Sequence, residues 1–271
     1  MNGALVRKTF RDSWWLLILV PVAIVVFETL VVRAYREIGS EAAGFWMNRP
    51  CTRQLMRVLM GADLGASITP TVLVMIGFAH PLLHALNWLL LLTVCTRTTV
   101  GEIDRGTADV LLTLPISRAS IYASVSSVWI LVGVPVSLAP VLGVWIGEWL
   151  SPLWAPITFR PLFVLALNLL ALYLSVGGVA MCMSSLVSRR GTAVALVLTG
   201  LLASVLLNFL ASVWAAAERL AFLGLLHYYK PFTAIRGGPL PVDDLATLGA
   251  VAVVAWLSGL VCYCRRDIPA A

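Results

Sequence analysis

The stretch PLFVLALNLLALYLSVGGVAMCMSSLV, residues 161–187, decides the fold. It runs 27 residues without a single charged side chain. About 20 apolar residues in a helix cross the roughly 30 Å hydrocarbon core of a bilayer. A buried helix of a soluble domain rarely needs such a run. The apolar character is also continuous rather than alternating, which selects a helix over a barrel strand.

Five further blocks have the same character: residues 14–32, 70–95, 119–147, 192–217 and 245–264. Across all 271 residues, 60% are hydrophobic, 12% are charged and the mean hydropathy is +0.94. Soluble domains carry about a quarter charged residues, so lipid must be the solvent for most of this surface. The sequence therefore predicts an all-α polytopic membrane protein with six transmembrane helices in a single domain, 1–271. Pro135 and Pro140 are expected to kink the third span. Arg7, Lys8 and Arg11 precede the first block like the start of a signal peptide. That block is too long for such a leader and no A-x-A site follows, so it reads as a retained helix.

The net charge of +6 comes from 19 basic and 13 acidic residues lying between the apolar blocks. Lipid headgroups explain this charge, and no nucleic-acid partner is expected. Six spans put both termini on one side. Ten of the 19 basic residues then share that side: Arg7, Lys8, Arg11, Arg97, Arg105, Arg118, Arg189, Arg190, Arg265 and Arg266. They sit in short segments tight against helix ends, which predicts cytoplasmic termini and a multi-pass inner-membrane location. On the outer side, Arg53 and Arg57 oppose Leu55, Met56, Leu59 and Met60 in a pattern expected of an interfacial amphipathic helix. The apolar stretch 220–226 is too short to span. It reads as a re-entrant element, with Tyr228 and Tyr229 at headgroup level.

Between the second and third spans lies GEIDRGTADVLLTLPISR, residues 101–118. Thr107 can cap a short helix with Asp109 in its first turn. Ala108, Leu111 and Leu112 fall on one face, Pro115 ends the helix, and Ser117 can cap the third span. The expected object is a short elbow helix joined rigidly to a transmembrane helix, with Glu102, Arg105 and Asp109 on its exposed polar side. An ordinary connecting loop is the plainer alternative.

An acid, Gly-Thr, a second acid, Leu-Leu and Pro-x-Ser-Arg before the third span form a pattern. It is carried here by Glu102, Gly106, Thr107, Asp109, Leu111, Leu112, Pro115, Ser117 and Arg118. The pattern resembles that of the ABC transporter permeases of the type-2 exporter group. Ala108 and Asp109 stand where that family usually has leucine and glutamate. The ending CRRDI after the last span is also similar. The resemblance implies a membrane subunit that pairs with itself or with a paralogous permease. It also implies coupling, through residues 101–118 including Arg105, to separate ATP-binding subunits.

No ATP site is expected in the chain itself. A P-loop needs Gly-Lys, and the two lysines, Lys8 and Lys230, follow Arg7 and Tyr229. No catalytic cluster, cofactor motif or metal-ligand spacing stands out. The five cysteines include no CxxC pair and read as small buried hydrophobes. Glu28, inside the first span, could line a pathway or snorkel outward to Arg33. His80 and His84, four apart, could share a helix face as metal ligands, but no carboxylate or thiol at ligand spacing joins them; satisfied intramembrane histidines or pathway residues are the other readings. Gly143 and Gly147 form a GxxxG pair, a weak sign of a helix contact. The rival readings are a secondary transporter, or a membrane-embedded assembly factor without an ATPase partner.

Overall fold

A computed structural model of the chain describes residues 2–47, 49–50, 70–107, 113, 115–230 and 240–266. Its regular elements there are all helical. They are α1 (Gly3–Met47), α2 (Pro70–Phe78), α3 (Pro81–Arg97), α4 (Val100–Asp104), α5 (Arg118–Leu150), α6 (Phe159–Leu186), α7 (Arg190–Val213), α8 (Ala215–Glu218) and α9 (Val242–Arg265). Two 3-10 turns, Ala221–Leu223 and Leu225–Tyr228, lie between α8 and α9. Six segments are long and apolar enough to cross a membrane: Gly3–Glu37, Val74–Arg97, Arg118–Leu150, Phe159–Leu186, Arg190–Val213 and Val242–Arg265. The molecule is a polytopic all-α membrane protein with six spans.

Helices α3, α5 and α6 form the middle, joined by a core that includes Leu90, Leu91, Val125, Val128, Trp129, Leu172 and Val176. Around them α1, α7 and α9 turn broad apolar faces outward. Trp14, Ile18, Leu202, Leu206, Val253 and Val254 are all more than half exposed or close to it. In water such faces would drive aggregation; in a bilayer they meet acyl chains.

Without a hydrophobic drive between helices, association in lipid depends on close packing and hydrogen bonds. Both are concentrated at two seams. Between α1 and α5, the Cα of Gly143 presses so close that an added Cβ would stand 2.6 Å from the Val25 carbonyl oxygen, and Gly147 meets Val32 in the same way. The Thr29 hydroxyl bonds the Gly143 carbonyl at 3.0 Å. The GxxxG pair is thus a helix contact. Between α6 and α9, Gly178 faces the Ala252 backbone and Ser175 Oγ donates to the Leu248 carbonyl at 2.6 Å. Tyr122 and Ser126 of α5 lock onto Trp256 by hydrogen bonds of 3.1 and 2.8 Å. Buried hydroxyls elsewhere, such as Thr9, Thr96 and Ser184, return their protons to the carbonyl four residues back.

Two expectations are corrected. The first span, read as 14–32, belongs to a 45-residue helix that starts at Gly3 and ends at Met47. At 1.5 Å per residue this is about 68 Å, far longer than the hydrocarbon core. The second span, read as unbroken over 70–95, is interrupted at Ala79–His80. Pro81 offers no N–H and turns the preceding residue away from α geometry. Tyr229 is buried within the protein, and its hydroxyl donates to the Phe78 carbonyl at 2.9 Å. The amphipathic helix expected around Arg53 and Arg57 lies outside the described residues. The element before the last span does tuck back into the bundle. The Leu226 N–H reaches Ser204 Oγ of α7 at 3.0 Å, and Ala221 is buried.

Asn2 and Arg266, the outermost described residues, lie at one end of the bundle. The Asn2 N–H donates to Ser124 Oγ near the start of α5, and Arg118 donates to the Arg266 carbonyl at the end of α9. The ten basic residues grouped above share that end or flank it. An Asp104→Cys thiol, exposed there, is expected to resist an impermeant maleimide in intact cells and to react after permeabilisation. Labelling from outside would reverse the assigned orientation.

Candidate functional site

The segment that follows the second span is built by a helix stop. Helix α4 is a single short turn with Arg105 as its C-cap, and Gly106 carries φ 68°. The Thr107 N–H reaches back to the Glu102 carbonyl at 2.9 Å, and the Gly106 N–H reaches Ile103 at 3.1 Å. This pair of bonds is a Schellman closure, and its left-handed residue favours glycine. Gly106→Ala is expected to cost about 1–2 kcal/mol, the penalty for an L-residue in that region. Gly106→Asn should cost less. The melting midpoint of the detergent-solubilised protein measures both. Equal midpoints for wild type and alanine variant would show that the turn is not held this way.

The closure turns Thr107 onto Glu102 rather than leaving it exposed. The Thr107 hydroxyl donates to Glu102 Oε2, Lys8 Nζ lies 3.0 Å from Oε1, and Arg105 Nη2 lies 3.1 Å from the same oxygen. Glu102 is buried. Burial pushes its carboxyl up. The Thr107 hydroxyl, Lys8 and Arg105 outweigh that and hold it below the usual glutamate range. Glu102 was expected on the exposed polar side of an elbow. Instead it is the anchor that ties the first helix to the segment. A partner 94 residues away, Lys8, draws it inward.

The other residues of the pattern divide clearly. Ser117 caps α5 as expected, its Oγ accepting the Ser120 N–H at 3.2 Å. Pro115 is exposed. Arg118 binds the Arg266 carbonyl, and Arg266 in turn reaches the Ser185 and Val187 carbonyls at the end of α6. These cations cap helix C-termini, where carbonyls lack partners and the dipole is negative. Asp109, Leu111 and Leu112 lie outside the described residues. The result is a braced basic end in which α1, α4, α5, α6 and α9 are cross-tied.

A second group of polar residues sits inside the membrane. Glu28 on α1 is fully buried, and among the described residues neither carboxylate oxygen has a hydrogen-bond partner. It neither snorkels nor pairs with Arg33. It rests against Gly77, where an added Cβ would stand 2.2 Å from Oε2, and its Cβ lies against Gly143. Two small residues on two helices therefore shape its niche. His80 and His84 do not share a helix face. His80 is exposed and caps α3, its Nδ1 accepting the Leu82 N–H at 3.2 Å. His84 is buried one turn further on. Among the described residues its Nδ1 has no hydrogen-bond partner, and its ring meets Tyr229 edge-on at 5.2 Å. The break in the second span, Glu28, His84 and Tyr229 thus lie near one another. Among the described residues, no three metal-ligating side chains converge.

Sequence alone placed Lys8, Arg266 and Tyr229 at the membrane surface but did not foresee their partners. Each acts on a residue more than 70 positions away, and no local spacing announces that.

Fold and sites together define a six-span, all-α membrane protein with a braced basic end and a buried acidic niche. No protein-family model matches the chain, and no curated protein matches it.

Proposed function

We propose that the chain is the membrane-spanning permease subunit of an ATP-driven exporter. It works as a homodimer or beside a paralogous permease, with separate ATP-binding subunits docked on its basic end in the cytoplasm. The observation that carries this reading is the braced segment after the second span. Glu102 ties the start of that segment to α1, and at its other end Ser117 caps α5, a 33-residue helix through the centre of the bundle. A push on either anchored end reaches a membrane-spanning helix directly. The segment's sequence pattern resembles that of exporter permeases at the same place in the chain.

Co-purification in mild detergent tests the reading. The permease is expected to bring down an ATPase, while the chain purified alone neither binds nor hydrolyses ATP, because it has no Gly-Lys pair. Stoichiometric nucleotide binding by the isolated chain, or the absence of any ATPase partner, contradicts it.

The broken second span and buried Glu28 favour one rival, an ion-coupled secondary transporter, since such proteins place ionisable groups beside interrupted helices. In proteoliposomes, uptake driven by an ion gradient without ATP, and lost in Glu28→Gln, would establish that rival. Uptake that requires the ATPase leaves the exporter reading in place.

A further inference from the structure

Between α3 and α7 runs an apolar groove of about 620 Å³, walled by Trp88, Leu89 and Leu92 on one side and Val194 and Leu198 on the other, with Arg190 at its end. Its size falls within the roughly 300–1,000 Å³ typical of small-molecule sites. It opens to the lipid side, where Leu89 is half exposed.

The charge at its mouth is unbalanced. Arg190 directs Nε to Thr96 Oγ1 at 3.1 Å, which fixes the guanidinium. Its Cδ and Arg105 Nη1 both come within 4 Å of the point where a Cβ on Gly101 would stand. Arg97 ends α3 alongside, and its charge and that of Arg105 act on Arg190. Two acids lie nearby against these cations. Glu102 holds Arg105 and Lys8, and Asp104 accepts the Arg190 backbone N–H at 3.3 Å, its charge offsetting part of that on Arg190. Among the described residues, no carboxylate lies within salt-bridge distance of the Arg97 or Arg190 guanidinium. Arg189, exposed, adds a further positive charge.

We propose that this groove binds an anionic phospholipid, with an acyl chain against Trp88, Leu92, Val194 and Leu198 and the phosphate on Arg97 and Arg190. An apolar slot facing the bilayer suits a chain. Arginines in excess of the acids at its end, at headgroup depth, suit a lipid with net negative charge over a zwitterionic one. Arginine supplies several N–H groups in a planar fork that matches phosphate oxygens. The site is separate from the ATPase-docking reading and stands whether or not that reading holds.

Native mass spectrometry of the full chain in detergent, titrated with phosphatidylglycerol and with phosphatidylcholine of identical chains, tests the site. Each basic residue near a membrane surface contributes about fivefold to the binding of anionic lipid. Phosphatidylglycerol is therefore expected to bind roughly 25-fold more tightly. Arg97→Gln, which breaks no side-chain bond among the described residues, should reduce that preference about fivefold, and Arg190→Gln should do the same. Ala195→Phe, which fills the groove from its exposed wall, should weaken both lipids. Inorganic phosphate should not compete at concentrations where the lipid is bound. Equal affinity for the two lipids, indifference to Arg97→Gln, unchanged binding in Ala195→Phe, or displacement by inorganic phosphate would each overturn the proposal.

Discussion

Gly143→Leu is expected to produce almost no folded protein, and Gly143→Ala to lower stability measurably despite making α5 a better helix. The magnitudes decide the sign. Replacing glycine by alanine inside a helix gains about 1 kcal/mol of intrinsic propensity. Against that stands overpacking, which costs about 1–3 kcal/mol when neighbours cannot move. Here they cannot. The added Cβ would lie 2.6 Å from the Val25 carbonyl oxygen and 2.7 Å from Glu28 Cβ. One is backbone and the other is the stem of a buried side chain. Helices α1 and α5 would have to separate, breaking the Thr29 bond to the Gly143 carbonyl and opening the niche of Glu28. Alanine should therefore lower the melting midpoint, and leucine should abolish a monodisperse peak in size-exclusion chromatography. Gly200, with open space around it, is the control: Gly200→Ala should be neutral or stabilising. A Gly143→Ala protein as stable as wild type would mean that the α1–α5 seam is looser than described.

Reversing Glu102 is the second large effect. Glu102→Arg places a third cation where Lys8 and Arg105 already meet. It also removes the carboxylate that accepts from Thr107. Hydrogen bonds to charged groups contribute about 1.5–3 kcal/mol. Lys8 and Arg105 are each roughly 40–50% exposed, so solvent screens part of the repulsion. A loss of about 2 kcal/mol is expected from Glu102→Gln, and more from Glu102→Arg. Combining Lys8→Glu with Glu102→Arg should recover part of the loss, because the pair is restored with its polarity exchanged. A pH signature accompanies this. The Glu102 carboxyl is held below its ordinary value in the folded protein. Its stabilisation is therefore present above about pH 4.3, the unfolded value, and is lost as pH falls through the lower folded value. Glu102→Gln should lack that acid-side loss. If Glu102→Arg keeps wild-type stability while losing partner binding, the carboxylate faces a partner, and its internal bonds are incidental.

The six spans were legible because they rest on composition. A charge-free run longer than the hydrocarbon core has few alternatives, and backbone groups in lipid must bond within the helix. The Ser117 cap was legible for the same local reason: a hydroxyl before an apolar run meets orphan N–H groups one turn on. The interruption at His80 could have been read from Pro81, yet the apolar run on both sides suggested a single helix. The inward turn of Glu102 could not be read. Its direction depends on Lys8, which precedes the first span and lies 94 positions away along the chain. Leaving Glu28 without a partner is likewise a property of the assembled helices, since Gly77 and Gly143 come from separate spans. The left-handed Gly106 was available to local reasoning as a helix stop, but it registered as part of a sequence pattern instead.

The clamp formed by Arg118 and Arg266 has a consequence for biogenesis. The two residues are separated by 148 positions. At about 5–20 residues per second, the ribosome needs roughly 7–30 s to travel between them. Throughout that interval Arg118 has emerged while the Arg266 carbonyl does not yet exist, and the Ser185 and Val187 carbonyls wait for the Arg266 guanidinium. The basic end is therefore completed only once the sixth span has been made. Until Arg266 is in place, the nascent chain offers an unfinished surface there. Chains truncated before Arg266 would insert five or six spans yet never seal that face, giving quality-control proteases a means to tell aborted products from complete ones.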